Sequence, residues 1–262
     1  GELPTLPHVV QKLASMIGRP NVSAEEIGTL LEKDQVLSAK VLRLANSPFY
    51  GFPSRIASVA HAVVVLGLNV VKGLTLCATA FDMMRNAGMN ELWRHSLGVA
   101  MTAHILGTKA AMKNPEEVFV AGLLHDIGKV VLYVKWPDVG QQITTVTRNT
   151  SRPLMDTEQE LFEVTHADVG GWLASAWHLP TSLREPILHH HTPAAAQDAK
   201  LQTAIVHVAD VLVKGLACGN PGDDLVPPLS RQAWDLVGLD AQSLAHCLTQ
   251  ATEEFQTIDD YL

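Results

Sequence analysis

No stretch of this chain alternates apolar and polar residues for the length of a strand, while helix-spaced apolar positions and helix end signals recur throughout. That contrast restricts the fold to the all-α class. Val9, Val10, Leu13 and Ile17 mark a helical face over His8 to Ile17. Ser23 followed by Glu26 makes a capping box that opens a helix over Ala24 to Glu32, and Asp34 caps the next, over Gln35 to Ala45. Pro and Gly in Asn46-Ser-Pro-Phe-Tyr-Gly-Phe-Pro53 forbid its continuation. The three aromatics there predict a small apolar cluster that pins an irregular loop, with a partner-docking surface as the alternative. Ser58 starts a helix to Leu66, and Asn69 is expected to cap a longer one to about Arg85.

A second block begins near Asn90. One long helix is expected over Glu91 to Met112. Another starts at Asn114-Pro115-Glu116-Glu117, a cap followed by proline in the first turn, and is expected to run to about Val134. A polar helix follows Pro137. Further helices are expected over Asp156 to Phe162, His166 to Trp177, Pro180 to His190, Leu201 to Leu216, Ser230 to Val237 and Asp240 to Phe255. Cys218-Gly-Asn-Pro-Gly-Asp-Asp224 is turn-rich. At about 150 residues per domain, the 262 residues make one large or two small units. The division expected near residues 86 to 90 gives parts 1–88 and 89–262, packed together.

With 47% hydrophobic and 18% charged residues, the chain can bury a sizeable core. No charge-free apolar run reaches the ~18 residues of a membrane span. A net charge of −8 gives no general attraction to nucleic-acid backbones. Cys77, Cys218 and Cys247 are too scattered for a disulfide framework or a paired-cysteine zinc site. Without a signal-peptide pattern, the reducing cytoplasm is the expected compartment.

The unusual count is twelve histidines. The sharpest local string is Ala121-Gly-Leu-Leu-His-Asp-Ile-Gly-Lys129. Adjacent helical residues point ~100° apart, so His125 and Asp126 can share one centre only near a helix end or in a shallow groove. A cation there explains two polar groups in an apolar stretch; a buried His–Asp pair that merely fixes packing is the plainer alternative. Lys129, one turn after His125, is either solvated or in reach of a phosphate oxygen. His95 lies on the preceding long helix. His104 faces the other side of that helix and is expected to be structural or solvated. His166 opens a helix, where it serves a metal or helps the cap. His189, His190 and His191 end a helix and cannot all address one point. Asp210 either joins the centre or pairs with Lys214, and His207 is expected to be a satisfied core histidine. Imidazole and carboxylate together suit iron, manganese, nickel or zinc.

These residues carry a resemblance. His95, His125-Asp126 and Asp210 resemble the H…HD…D pattern of the HD superfamily of metal-dependent phosphohydrolases, and His166 and His190 fall where its binuclear members carry further histidines. Leu3-Pro-Thr-Leu-Pro7, the Asp34 to Gly51 segment, His61-Ala-Val-Val-Val-Leu-Gly67, Leu92-Trp-Arg-His-Ser96, His166-Ala-Asp-Val-Gly170 and Trp177-His-Leu-Pro180 resemble the HDOD family over nearly the whole chain.

The resemblance implies a multi-helical HD-like bundle over 89–262 with an additional N-terminal helical subdomain over 1–88. It implies a bacterial signalling output module, of the kind that follows a receiver or other sensor domain and acts on a protein partner or small ligand. Carried onto this chain, the metal ligands are His95, His125, Asp126, His166, His190 and Asp210, for one or two divalent transition ions (Fe, Mn, Ni or Zn). The alternative is a working phosphohydrolase on a phosphorylated small ligand, with Asp126 and Lys129 in catalytic roles. The chain departs from the HD-GYP enzymes of cyclic di-GMP. Those carry Glu and a GYP-type string after the paired histidines, where this chain has Thr192-Pro-Ala-Ala-Ala-Gln-Asp198.

Overall fold

Side-chain caps open several of the helices whose starts the sequence marks, though not the one at Asn114, where Pro115 in the first turn stands without a side-chain cap. The computed structural model describes residues 12–13, 23–46, 52 and 54–256. The Leu3 to Pro7 string, Phe49, Tyr50 and all but Lys12 and Leu13 of the helix expected over His8 to Ile17 lie outside them. In α1 (Ala24–Leu31) the Ser23 hydroxyl accepts the Glu26 amide at 3.1 Å while the Ser23 amide donates to the Glu26 carboxylate. Asp34 accepts the Leu37 amide at 2.9 Å and opens α2 (Gln35–Ala45). Asn46 then joins the end of α2 to Ile56, donating to the Leu42 and Ile56 carbonyls and accepting the Ile56 amide. Of the loop aromatics, Phe52 packs against the core. Ser58 caps α3 (Val59–Leu66), and α4 (Leu68–Asn86) follows at once. The expected Asn69 cap does not form. Gly67, at φ +84°, closes α3 and opens α4 in one residue, a conformation glycine reaches without a Cβ penalty.

The long α5 (Asn90–Lys109) runs to α6 (Pro115–Leu124). The single helix expected from Asn114 to about Val134 is two. It breaks at His125-Asp126, where Asp126 leaves helical geometry (φ −96°, ψ 13°), and restarts as α7 (Ile127–Lys135). Then come α8 (Pro137–Thr150), α9 (Leu154–Phe162), α10 (His166–Ala176), α11 (Thr181–His189), a 3-10 turn (Pro193–Ala195), α12 (Lys200–Gly215), α13 (Arg231–Val237) and α14 (Ala241–Phe255). No strand occurs among the described residues, and none of their helices is long and apolar enough to cross a membrane.

The packing centres on α5, which α4, α6, α12 and α14 surround. α6 also touches α11 and α12, α7 lies on α10, and α11 lies between α10 and α12. At the other end α1 packs on α3 and α2 on α4. One apolar cluster runs through both parts, from Ile27, Val41 and Leu74 to Leu97, Phe119, Leu183 and Val208. Each such side chain contributes about 1.5–3 kcal/mol on burial.

One charge lies where α4 meets the second block. Lys72 is buried, and its ammonium donates to the His178 carbonyl at 2.6 Å, just beyond α10. Burial lowers its pKa to about 8. The unfolded chain keeps the proton to about 10.4. Between roughly pH 8 and 10.4 the unfolded state therefore binds more protons, and stability from this residue rises with pH. Denaturant titrations of the wild type and Lys72→Met across that window should show the wild type gaining on the variant as pH rises. Parallel curves would contradict the assignment.

Candidate metal centre

Two backbone contacts bring the ligand-type side chains together. A Cβ on Gly122 would lie 2.7–2.9 Å from the Ala100 backbone, so α5 and α6 cross there at a separation only glycine permits. This crossing sets the rings of His95 (α5) and His125 (the end of α6) 5.4 Å apart. A Cβ on Gly128 would meet the His166 carbonyl at 1.9 Å, so the start of α7 lies directly on the start of α10. That contact brings His166 Nε2 to 3.2 Å from Asp126 Oδ1. α11 delivers His190, and α12 delivers Asp210.

Asp126 lies in the middle. Its Oδ2 is 3.3 Å from His125 Nε2 and 3.9 Å from His95 Nε2, while Oδ1 faces His166 and, at 3.8 Å, His190 Nε2. Asp210 Oδ1 is 3.0 Å from His95 Nε2 and 3.9 Å from His125 Nε2. The ligand atoms of His95, His125 and Asp210 all lie within 4.8 Å of one another, as do those of His166, His190 and His191. A third such group, His125, Asp126 and His190, joins the other two, so the cluster is continuous, with two halves that meet at Asp126. His95, His125, Asp126, His166, His190 and Asp210 are all at most 2% exposed.

The break between α6 and α7 makes this possible: it lets two adjacent residues face one point, as the sequence requires of a shared centre. The backbone also fixes which imidazole nitrogen is free. His125 Nδ1 donates to the Gly122 carbonyl at 2.6 Å and His190 Nδ1 to the Ile187 carbonyl at 2.9 Å. Their Nε2 atoms face inward, where an ion would bind in place of a proton. Those two atoms, both nitrogens of His95 and Asp126 Oδ1 find no hydrogen-bond partner among the described residues. His95 and Asp210 approach closely without the angle of a hydrogen bond.

The charge balance points the same way. Asp126, Asp210 and Glu158 are buried carboxylates, and Lys129 is the buried ammonium among them. Burial would raise the Asp126 and Asp210 carboxyls, but neighbouring histidines, and Lys129 for Asp126, hold both well below the usual range. Burial, then the neighbouring histidines, push His190 well below its ordinary value, and burial with His166 takes His191 to about 3. Burial would lower His125 and His166 too, but Asp126 beside the first and Glu158 beside the second raise both, so a bound ion would replace a proton there. With the lone pairs of His190 and His191 and the ionised carboxylates, the donor set fits a divalent ion of the iron–zinc range.

Several expectations change at close range. Lys129 is not solvated: it is 4% exposed and donates to Asp126 Oδ2 at 2.8 Å. Lys214 pairs with Asp223, leaving Asp210 to the centre. His191, which the resemblance leaves out of the ligand set, belongs to the second half, with Nε2 at 3.0 Å from His166 Nε2. His207 donates to the His190 carbonyl and accepts the Ser230 amide, so both its nitrogens are committed. His104 stacks edge-on against Phe119, away from the cluster. Glu158 was missed. It takes the His166 Nδ1–H at 2.6 Å, and its one signal is a charge beside Leu154 and Thr157 on the buried face of α9. One turn before His95, Glu91 helps line a cavity of about 520 Å³ with Thr147, Arg148, Arg152 and Asp224. The buried Thr147 hydroxyl has no partner among the described residues.

The family model for the HDOD domain matches residues 3–193, so Asp210 lies beyond the match. The crystal structure of an HDOD domain protein of unknown function from Geobacter sulfurreducens is 29% identical, with a TM-score of 0.77 over 100% of this chain and 94% of that one. A structure from Shewanella amazonensis SB2B, provisionally described as a phosphohydrolase, is 24% identical with a TM-score of 0.71 over 99% of this chain and 95% of that one; it shows the fold alone. An uncharacterized protein of Treponema pallidum (strain Nichols) is 25% identical over 230 residues, 86% of this chain. The chain spans 44% of that relative's length.

Proposed function

The chain belongs to the HDOD domain family, and from that premise we propose that it is a signalling output domain whose HD-type centre holds one or two divalent transition ions as a fastener. One observation carries the reading: ligand atoms from α5, the α6–α7 joint, α10, the end of α11 and α12 converge in a buried cluster. An ion held by His95, His125, Asp126 and Asp210, and a second by His166, His190, His191 and the other Asp126 oxygen, would lock those five elements to one another. Occupancy would then set the surface offered to a protein partner. In this reading residues 1–88 and 89–262 act as two subdomains of one unit.

A second reading is a phosphohydrolase. The ammonium of Lys129 beside Asp126 and the Arg148-lined cavity near His95 favour it. Bound ions would supply an activated water and a clamp on a phosphoryl group. Lys129 would neutralise charge on a phosphorylated small ligand. Metal-loaded wild type should bind transition ions in stoichiometric amounts and show no turnover of nucleotide or other phosphoesters above a metal-only blank. Efficient turnover that disappears in Lys129→Met would overturn the output reading in favour of the hydrolase.

A further inference from the structure

The three inward-facing imidazoles whose Nδ1 is engaged do not obtain that bond in the same way. His125 and His190 each stand at the end of a helix, and each donates Nδ1–H to the carbonyl three residues back. His166 is the first residue of α10 and has no preceding helical turn to offer such a carbonyl. Glu158 fills the gap from α9, an element that brings no ligand of its own. A single oxygen, Oε2, accepts both the His166 backbone amide at 2.9 Å and Nδ1–H at 2.6 Å. The side chain is fully buried, and its other oxygen has no partner among the described residues.

The two halves also differ in charge. The first has its own carboxylate, Asp210, while the second has three imidazoles and only a share of Asp126. A carboxylate behind a histidine fixes the ring's tautomer and strengthens the other nitrogen as a donor.

We infer that Glu158 is the positioning residue of the second half: it holds His166 with Nδ1 protonated and Nε2 turned inward toward His191 and Asp126, and supplies through that ring the negative charge the half lacks. The inference rests on the metal-centre reading. It makes the halves unequal, with the second dependent on a residue that touches no ion.

The test uses the full chain with Glu158→Gln, which keeps an acceptor without the charge, and Glu158→Leu, which removes both. Zinc and cobalt titrations followed by elemental analysis and cobalt absorption should show two ions in the wild type. In Glu158→Gln the first should be unchanged and the second about 10–100-fold weaker. A second ion held in that variant as tightly as in the wild type would overturn the inference. Nitrogen-15 spectra of the histidine rings in metal-free protein give an independent readout. His166 should carry its proton on Nδ1 in the wild type and in Glu158→Gln, and lose that preference in Glu158→Leu; an unchanged spectrum in Glu158→Leu overturns the inference. Should the wild type bind neither ion, the metal reading fails, and the ring spectra still decide what Glu158 does. Should Glu158→Leu not fold, the glutamine variant decides by its second-ion affinity.

Discussion

Replacing Asp126 with alanine should empty both halves of the centre and cost the metal-free protein about 3–5 kcal/mol, the usual cost of removing one partner of a buried ion pair. Its carboxylate is the one group that both halves share: Oδ2 faces His95 and His125, and Oδ1 faces His166 and His190. It is also the counter-charge to Lys129, whose ammonium is buried against it. Without it that ammonium must stay charged and buried with no hydrogen-bonded carboxylate, lose its proton or drag α7 toward water. Removing both charges, in Asp126→Ala with Lys129→Met, should recover most of the stability and none of the metal. Denaturant unfolding and elemental analysis of the three proteins separate these effects. A single variant as stable as the wild type would show that Lys129 does not depend on Asp126.

The second large effect is expected at Gly128→Ala. The added Cβ would sit 1.9 Å from the His166 carbonyl oxygen and 2.8 Å from the Gly170 amide, both backbone atoms that no rotamer change can move. α7 and α10 must separate by about 1 Å or more. Overpacking usually costs 1–3 kcal/mol, and the rigid backbone on both sides places this site at about 3 kcal/mol or above. For a chain of this size that corresponds to a melting point lower by roughly 6–12 °C. The same shift carries His166 away from Asp126 and should weaken the second ion. Gly215→Ala is the matched control: nothing lies within 4 Å of its new Cβ. It should be neutral or stabilise by up to about 1 kcal/mol. Equal melting points for the two variants would mean that the α7–α10 contact does not constrain the site.

Much of the fold was legible because capping is local. Ser23 with Glu26, Asp34, Ser58, Ser230 and Asp240 each accept the amide that a cap should, within three residues of themselves. Gly67 shows the limit: a helix-to-helix joint at one positive-φ residue displaced the side-chain cap expected at Asn69. The site divides in the same way. His95, His125, Asp126, His166, His190 and Asp210 could be proposed because their order along the chain resembles a known pattern. The break at Asp126 that aims two neighbours at one point was not visible, since Leu123 to Val131 keeps helical spacing through it. His191, Glu158 and the burial of Lys129 depend on where α9, α10 and α11 come to rest. A periodic pattern assigns faces to helices; it does not say which face meets which.

The central claim is that imidazoles and carboxylates from separate helices surround a transition ion. Anomalous diffraction from crystals of the zinc- or cobalt-loaded wild type, with Asp126→Ala as the paired control, tests it most directly. The expected result is a peak about 2.0–2.1 Å from the imidazole nitrogens of His95 and His125, a second beside His166, His190 and His191, and neither in Asp126→Ala. Peaks confined to surface residues, or a cluster of the same side chains with no anomalous signal in loaded crystals, would contradict it.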